Sequence, residues 1–291
     1  MKNMIHHRCR RGRLSGLMTG GPAARTALAG LAALILPHGS CLLLRPASAP
    51  MRVVRFAPAA AHAPTLVVFL PGRASDPADF GTERFPALAK EAGLAVDMIA
   101  VDAHLGHYLK RTLNVRLKVD IIDPARAAGY KDIWLVGISM GGLGALLYAR
   151  EHPDDVNGLV LLAPFLGDRA VIDEIGAAGR LSMWKPQEPL PASDYQRMIW
   201  LFLKDALRPG AAGPDIWLGF GTEDAFARAN GLLGRELPPE RVFTAPGGHR
   251  WETWRGLWRR MLERGMLPTL GELRKVPAAD TDKAPRRRSN A

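Results

Sequence analysis

Cysteine is nearly absent: the chain has two, Cys9 and Cys41, both close to its start. Everything beyond residue 41 is therefore without a disulfide, a thiolate nucleophile or a cysteine-built metal site. No G-x-x-x-x-G-K-[ST] loop occurs to cradle phosphates, and no dinucleotide-binding glycine fingerprint. Those absences leave nucleotide chemistry without its usual sequence signature, and no cofactor is implied. An excess of charge is also missing where it would matter. The net charge is +11, yet residues 1–49 carry seven bases and no acid, and residues 271–291 carry a further excess of three bases. The two ends hold ten of the eleven charges, so residues 50–270 are close to neutral. Such a body offers no footprint for nucleic acid.

What is present divides into three parts. Residues 1–49 read as a signal or anchor leader. Bases come first, then the uncharged 19-residue run "TALAGLAALILPHGSCLLL", ended by Arg45 and followed by the small residues "ASA". Pro37 and Gly39 interrupt the run, and Cys41 stands as a candidate for lipidation. Export or membrane anchoring is the expectation (periplasmic side if bacterial), with a cytoplasmic protein if the leader is not functional. Residues 50–270 form the folded domain. Residues 271–291 are polar, basic and proline-containing, and read as a disordered tail.

Within 50–270 two periodicities alternate. Short apolar runs at 65–71, 94–103, 132–139, 157–164, 215–221 and 241–246 read as strands. Mixed charged and apolar stretches at 82–93, 107–128 and 142–153 read as helices, the second broken near Pro124. Nearly unbroken apolar strands alternating with helices predict an α/β fold: a mostly parallel central sheet with helices on both faces. About fifty residues, roughly 165–213, separate two of the strands where a simple crossover needs far fewer. This insertion carries Met198, Ile199, Trp200, Leu201 and Phe202 in a polar frame. A helical lid over a site is expected of it, with an additional packing layer as the alternative.

"GISMGG" at 137–142 follows a predicted strand and opens a predicted helix. That setting is the one in which G-x-S-x-G forms a nucleophile elbow: the serine occupies a sharp turn, and small neighbours let the chain fold back on itself. Ser139 is accordingly the candidate nucleophile. A serine hydroxyl needs a base to take its proton. His249, in "APGGHRWETW" just beyond the strand at 241–246, is the candidate. Asp224, in "GFGTEDAF" just beyond the strand at 215–221, is the acid expected to orient it, with Glu223 as competitor. The backbone N–H groups of Met140 and of a residue after "TLVVFLP", Arg73 in preference to Ala74, are the expected oxyanion donors. His104, Trp200 and Phe202 are expected to contact substrate. His104 and His107 are spaced as metal ligands can be, but no third ligand accompanies them, and no metal is expected.

Residues 64–265 resemble the α/β-hydrolase superfamily. "GISMGG" and "PGGHRWETW" are most similar to serine esterases of the esterase D and feruloyl-esterase type. Those enzymes commonly carry His-Gly before the oxyanion loop, where this chain has Pro71-Gly72. The resemblance implies the same triad of Ser139, Asp224 and His249 in that chain order. It also implies a carboxylesterase-like serine hydrolase that cleaves small-molecule esters through an acyl-enzyme. Acyl transfer to an alcohol or amine on the same fold remains the alternative, and a membrane-tethered binding protein without catalysis a more distant one.

Overall fold

Each apolar run expected to be a strand is one, and a short segment ahead of them completes a seven-stranded sheet. The computed structural model describes residues 46–56 and 63–267. The leader as far as residue 45, including Cys41, and the tail expected at 271–291 lie outside the described residues. In chain order the elements are β1 (Val53–Arg55), β2 (Thr65–Leu70), α1 (Asp79–Thr82), α2 (Phe85–Glu91), β3 (Val96–Val101), α3 (Leu105–Leu109) and α4 (Leu113–Leu117). A π-helical turn (Lys118–Ile122) leads into α5 (Asp123–Ala127), then β4 (Asp132–Ile138), α6 (Met140–Glu151) and β5 (Gly158–Leu162). After them come α7 (Arg169–Ala177), α8 (Tyr195–Ala206), β6 (Asp215–Gly221), α9 (Ala227–Gly234), β7 (Val242–Ala245) and α10 (Trp251–Glu263).

The strand order is β1-β3-β2-β4-β5-β6-β7. Strands β2 to β7 are parallel, and only β1 runs antiparallel, against β3. β2, β3 and β5 are buried at every residue, which is why both faces of those strands are apolar and no alternation shows in their sequences. Around β2, Phe69 stacks on Phe80 at 4.7 Å, and Phe85 stacks on Trp258 of α10 at 5.6 Å. The Trp258 indole N–H donates to Phe85 O at 3.0 Å, so α10 is tied to the sheet's aromatic core by packing and by a buried hydrogen bond. An Arg255–Glu83 ion pair at 2.5 Å adds a second attachment. The anchoring matters because α10 begins two residues after His249.

One expectation needs correction. No break occurs at Pro124, which sits in the first turn of α5 immediately after the π-helical turn. The wider turn places proline where its missing N–H has no regular partner to lose, so the chain continues helically. The insertion at 165–213 is in part a packing layer, while Phe165, Ala192, Ser193 and Tyr195 of the same stretch share a cavity with Ser139. Ile199, Trp200 and Leu203 of α8 are buried, α8 packs on α6, and the Trp200 indole donates to Leu166 O at 2.8 Å.

Replacing Trp200 by Ala should therefore destabilise the fold by about 3–5 kcal/mol, the range for deleting a large buried aromatic. Phe202→Ala, at a half-buried position, should cost less than half as much. Urea unfolding of the two variants measures both, and equal costs would contradict this placement.

Candidate active site

The turn between β4 and α6 sets the geometry of the site. Ser139 stands between the two elements at φ 55° and ψ −114°, a left-handed conformation unusual for a residue with a side chain. Such a backbone costs on the order of 1–3 kcal/mol and persists only where its surroundings hold it. Here its N–H donates to Leu162 O at 2.9 Å, and its carbonyl accepts from Phe165 N at 3.0 Å. The glycines around it are required by close approach. A Cβ on Gly141 would lie 2.7 Å from Pro71 O and closer still to Leu70 O, and one on Gly137 would collide with the backbone of Gly141. The first turn of α6 is thus pressed against the end of β2, and Ser139 is left 9% exposed at the C-terminal edge of the sheet.

The candidate acid and base arrive at the same edge from strands further along. Asp224 follows β6, and His249 follows β7. Their loops are joined by backbone bonds, Thr222 N to Ala245 O at 2.8 Å and Glu223 N to Gly247 O at 3.0 Å. Asp224 has a fully buried side chain with both oxygens engaged. Oδ1 accepts from Phe226 N at 2.8 Å, and Oδ2 pairs with His249 Nδ1 at 2.8 Å. The rival acid, Glu223, is exposed. The His249 ring is edge-packed against Phe226 at 5.0 Å and Trp254 at 4.8 Å, so its plane is fixed by two aromatics as well as by the carboxylate. Phe226 in turn packs against Phe165, whose N–H holds the Ser139 carbonyl. Among the described residues no hydrogen bond joins Ser139 to His249, a contact that is often long before substrate binds.

The loop after β2 lies directly against the serine: a Cβ on Gly72 would be 3.6 Å from Ser139 Cβ. Arg73, Ser139 and Met140 line one cavity of about 890 Å³. Met140 opens α6, where the first N–H groups have no partner within the helix. Its carbonyl accepts the Tyr108 hydroxyl at 2.8 Å.

The expected substrate contacts His104, Trp200 and Phe202 do not line this cavity. His104 is buried and caps α3, accepting from Gly106 N at 3.1 Å. Trp200 is turned into the core, and Phe202 packs half-buried against it. The wall is made instead by α3, α4 and the turn between them, together with Phe165, Ala192, Ser193 and Tyr195. The sequence placed most of this pair in a helical region at 107–128 but did not mark it as a cavity wall, although Leu109 and Val115 there are largely exposed. His107 also reaches the cavity wall. Burial, reinforced by neighbouring His104, lowers its pKa and keeps it neutral near pH 7. Among the described residues no group of three potential metal ligands forms.

A family model described as Hydrolase_4, serine aminopeptidase, S33, matches residues 113–206, a stretch that includes the Ser139 turn. Among solved structures, the fluorophosphonate-binding serine hydrolase F of Staphylococcus aureus superposes with a TM-score of 0.53 at 16% identity. It covers 75% of this chain and 98% of its own. The chain has the α/β-hydrolase fold. Another structure similar to this chain is Est1E from Butyrivibrio proteoclasticus with ferulic acid bound, with a TM-score of 0.49 at 18% identity over 77% of this chain and 96% of that one. No curated protein sequence matches it.

The elbow's packing has a direct consequence. Gly141→Ala should cost about 3 kcal/mol or more, because its methyl group meets backbone carbonyls that cannot move aside. Gly231→Ala on α9, with nothing within 4 Å of the added carbon, should be neutral or stabilising. Comparable stabilities for the two variants in urea unfolding would count against the described turn.

Proposed function

We propose that the protein is a carboxylesterase-like serine hydrolase that cleaves carboxylic esters through an acyl-enzyme formed on Ser139. The observation that carries this reading is the hydrogen bond between the buried Asp224 carboxylate and His249, placed at the same sheet edge as the strained Ser139 turn. In this reading Ser139 Oγ attacks the ester carbonyl while His249 Nε2 takes the hydroxyl proton. The N–H groups of Met140 and Arg73 receive the oxyanion. Collapse breaks the acyl–oxygen bond, and the proton on His249 passes to the departing alcohol. Water then attacks the acyl-enzyme, giving its proton to His249. The carboxylic acid leaves, and Ser139 regains its proton. Asp224 holds the imidazole in the tautomer with Nδ1 protonated and stabilises the imidazolium.

Export or membrane tethering by residues 1–49 belongs to the same proposal. It is supported by the basic, acid-free start and the uncharged run that follows it. Among the described residues no helix is long and apolar enough to cross a membrane.

Ser139→Ala should abolish both ester hydrolysis and fluorophosphonate labelling while leaving the unfolding midpoint nearly unchanged. Asp224→Asn should lower kcat by roughly 10⁴-fold, the loss expected when the histidine tautomer is no longer fixed. Glu223→Gln should have little effect. Labelling that survives in Ser139→Ala would remove Ser139 from the mechanism, and a reversed order for the two acids would reassign the triad.

A further inference from the structure

The cavity beside Ser139 continues well past the reacting centre, along one side of α6. Met140, Leu143, Leu147, Arg150 and Glu151 of that helix all line it. Their spacing of three, four, three and one places them on a single stripe. Ten residues separate Met140 from Arg150, roughly 15 Å at the helical rise of 1.5 Å per residue. The stripe is apolar in its middle and charged at its end.

The opposite wall is held over this stripe by polar contacts. Tyr108 of α3 donates to Met140 O, and Asn114 of α4 donates to Leu147 O at 3.2 Å. The turn between α3 and α4, which carries Arg111, lies between those two attachments. Leu109 and Val115, which also line the cavity, are 72% and 53% exposed, so the entrance is apolar as well. An apolar channel of this size accommodates a chain rather than a small polar substrate.

The charges in the wall are unbalanced. Arg73, Arg111 and Arg150 line the cavity, and Glu151 is the one carboxylate that does. Glu151 is already engaged by the Asn114 amide at 2.5 Å. Among the described residues none of the three arginines has a carboxylate partner, and Arg150 rests against the Met198 thioether. His107 stays neutral through burial, and the buried Tyr108 hydroxyl is pushed well above its ordinary pKa, so neither offsets the positive charge. A lone exposed arginine is ordinary surface. Three around one apolar cavity form a cationic lining suited to a carboxylate, which guanidinium groups bind through paired N–H donors.

We propose that the preferred substrates are anionic esters, in which an apolar chain lies along Leu143 and Leu147 and a terminal carboxylate meets Arg111 and Arg150. The inference rests on the ester-hydrolase reading above and specifies its substrate class. Hydrolysis consumes one water and releases an alcohol and an acid, one of which carries the additional anionic group.

The test compares kcat/KM for para-nitrophenyl hemiesters of succinic, adipic, suberic and sebacic acids with methyl-capped counterparts of equal length. A second arm moves the carboxylate to the alcohol, comparing butyryl esters of para-hydroxybenzoate and of its methyl ester. The purified wild-type protein should favour the anionic member of at least one arm by about tenfold, as a charge-assisted contact at a partly exposed site would give. In the acyl arm the preference should grow with chain length. High salt should reduce it, and so should the double variant Arg111→Gln/Arg150→Gln. The control Arg208→Gln, on the surface away from the cavity, should retain it. Equal rates for charged and neutral esters in both arms, or a preference that neither salt nor the double variant alters, would overturn the proposal while leaving ester hydrolysis intact. If no ester is hydrolysed and fluorophosphonate does not label Ser139, the ester-hydrolase reading itself fails and this inference falls with it.

Discussion

The arrangement depends on one backbone conformation. Ser139 can face the sheet edge only because the chain passes from β4 into α6 without a connecting loop, through a left-handed residue that would otherwise relax. Leu162 O and Phe165 N hold it from β5 and the segment beyond, and the end of β2 presses on the first turn of α6 from the other side. Strain of this kind is maintained by neighbours that over-determine it. The central place of β4, between β2 and β5, supplies those neighbours on both flanks.

The Asp224–His249 pair is built by different means. Asp224 and His249 lie on adjacent loops held together by main-chain hydrogen bonds, and α10 fixes the imidazole from behind. Trp254 packs on the His249 ring, and Trp258 ties the same helix to Phe85. Positioning of the imidazole therefore draws on the aromatic core around β2, far from His249 in sequence. A sequence motif such as "PGGHRWETW" combines the histidine with the helix that anchors it.

Much of this was legible before the fold was described, for identifiable reasons. Parallel strands buried on both faces leave unbroken apolar runs, so β2 to β6 were readable. Glycines forced by backbone contact marked the turn at Ser139. β1 was missed because three residues at an antiparallel edge, Val53 to Arg55, carry too little pattern to register. Trp200 and Phe202 lie away from the cavity beside Ser139 for a subtler reason. Trp200 and Phe202 look alike in sequence whether an amphipathic helix turns them toward a cavity or a core, and α8 turns Trp200 toward the core. The α3–α4 pair that forms the wall is short and mixed in composition. Its role arises from Tyr108 and Asn114 bonding to carbonyls of α6 more than thirty residues away.

The most direct test of the central claim is to trap the covalent intermediate. Wild-type protein mixed with excess para-nitrophenyl acetate would be quenched in acid within the first turnover, digested and mapped by mass spectrometry. An acetyl group on Ser139, accompanied by a burst of nitrophenol approaching one equivalent of protein, is the predicted result. Nitrophenol release that continues with no acyl group on Ser139, or with the acyl group on another residue, would contradict the account.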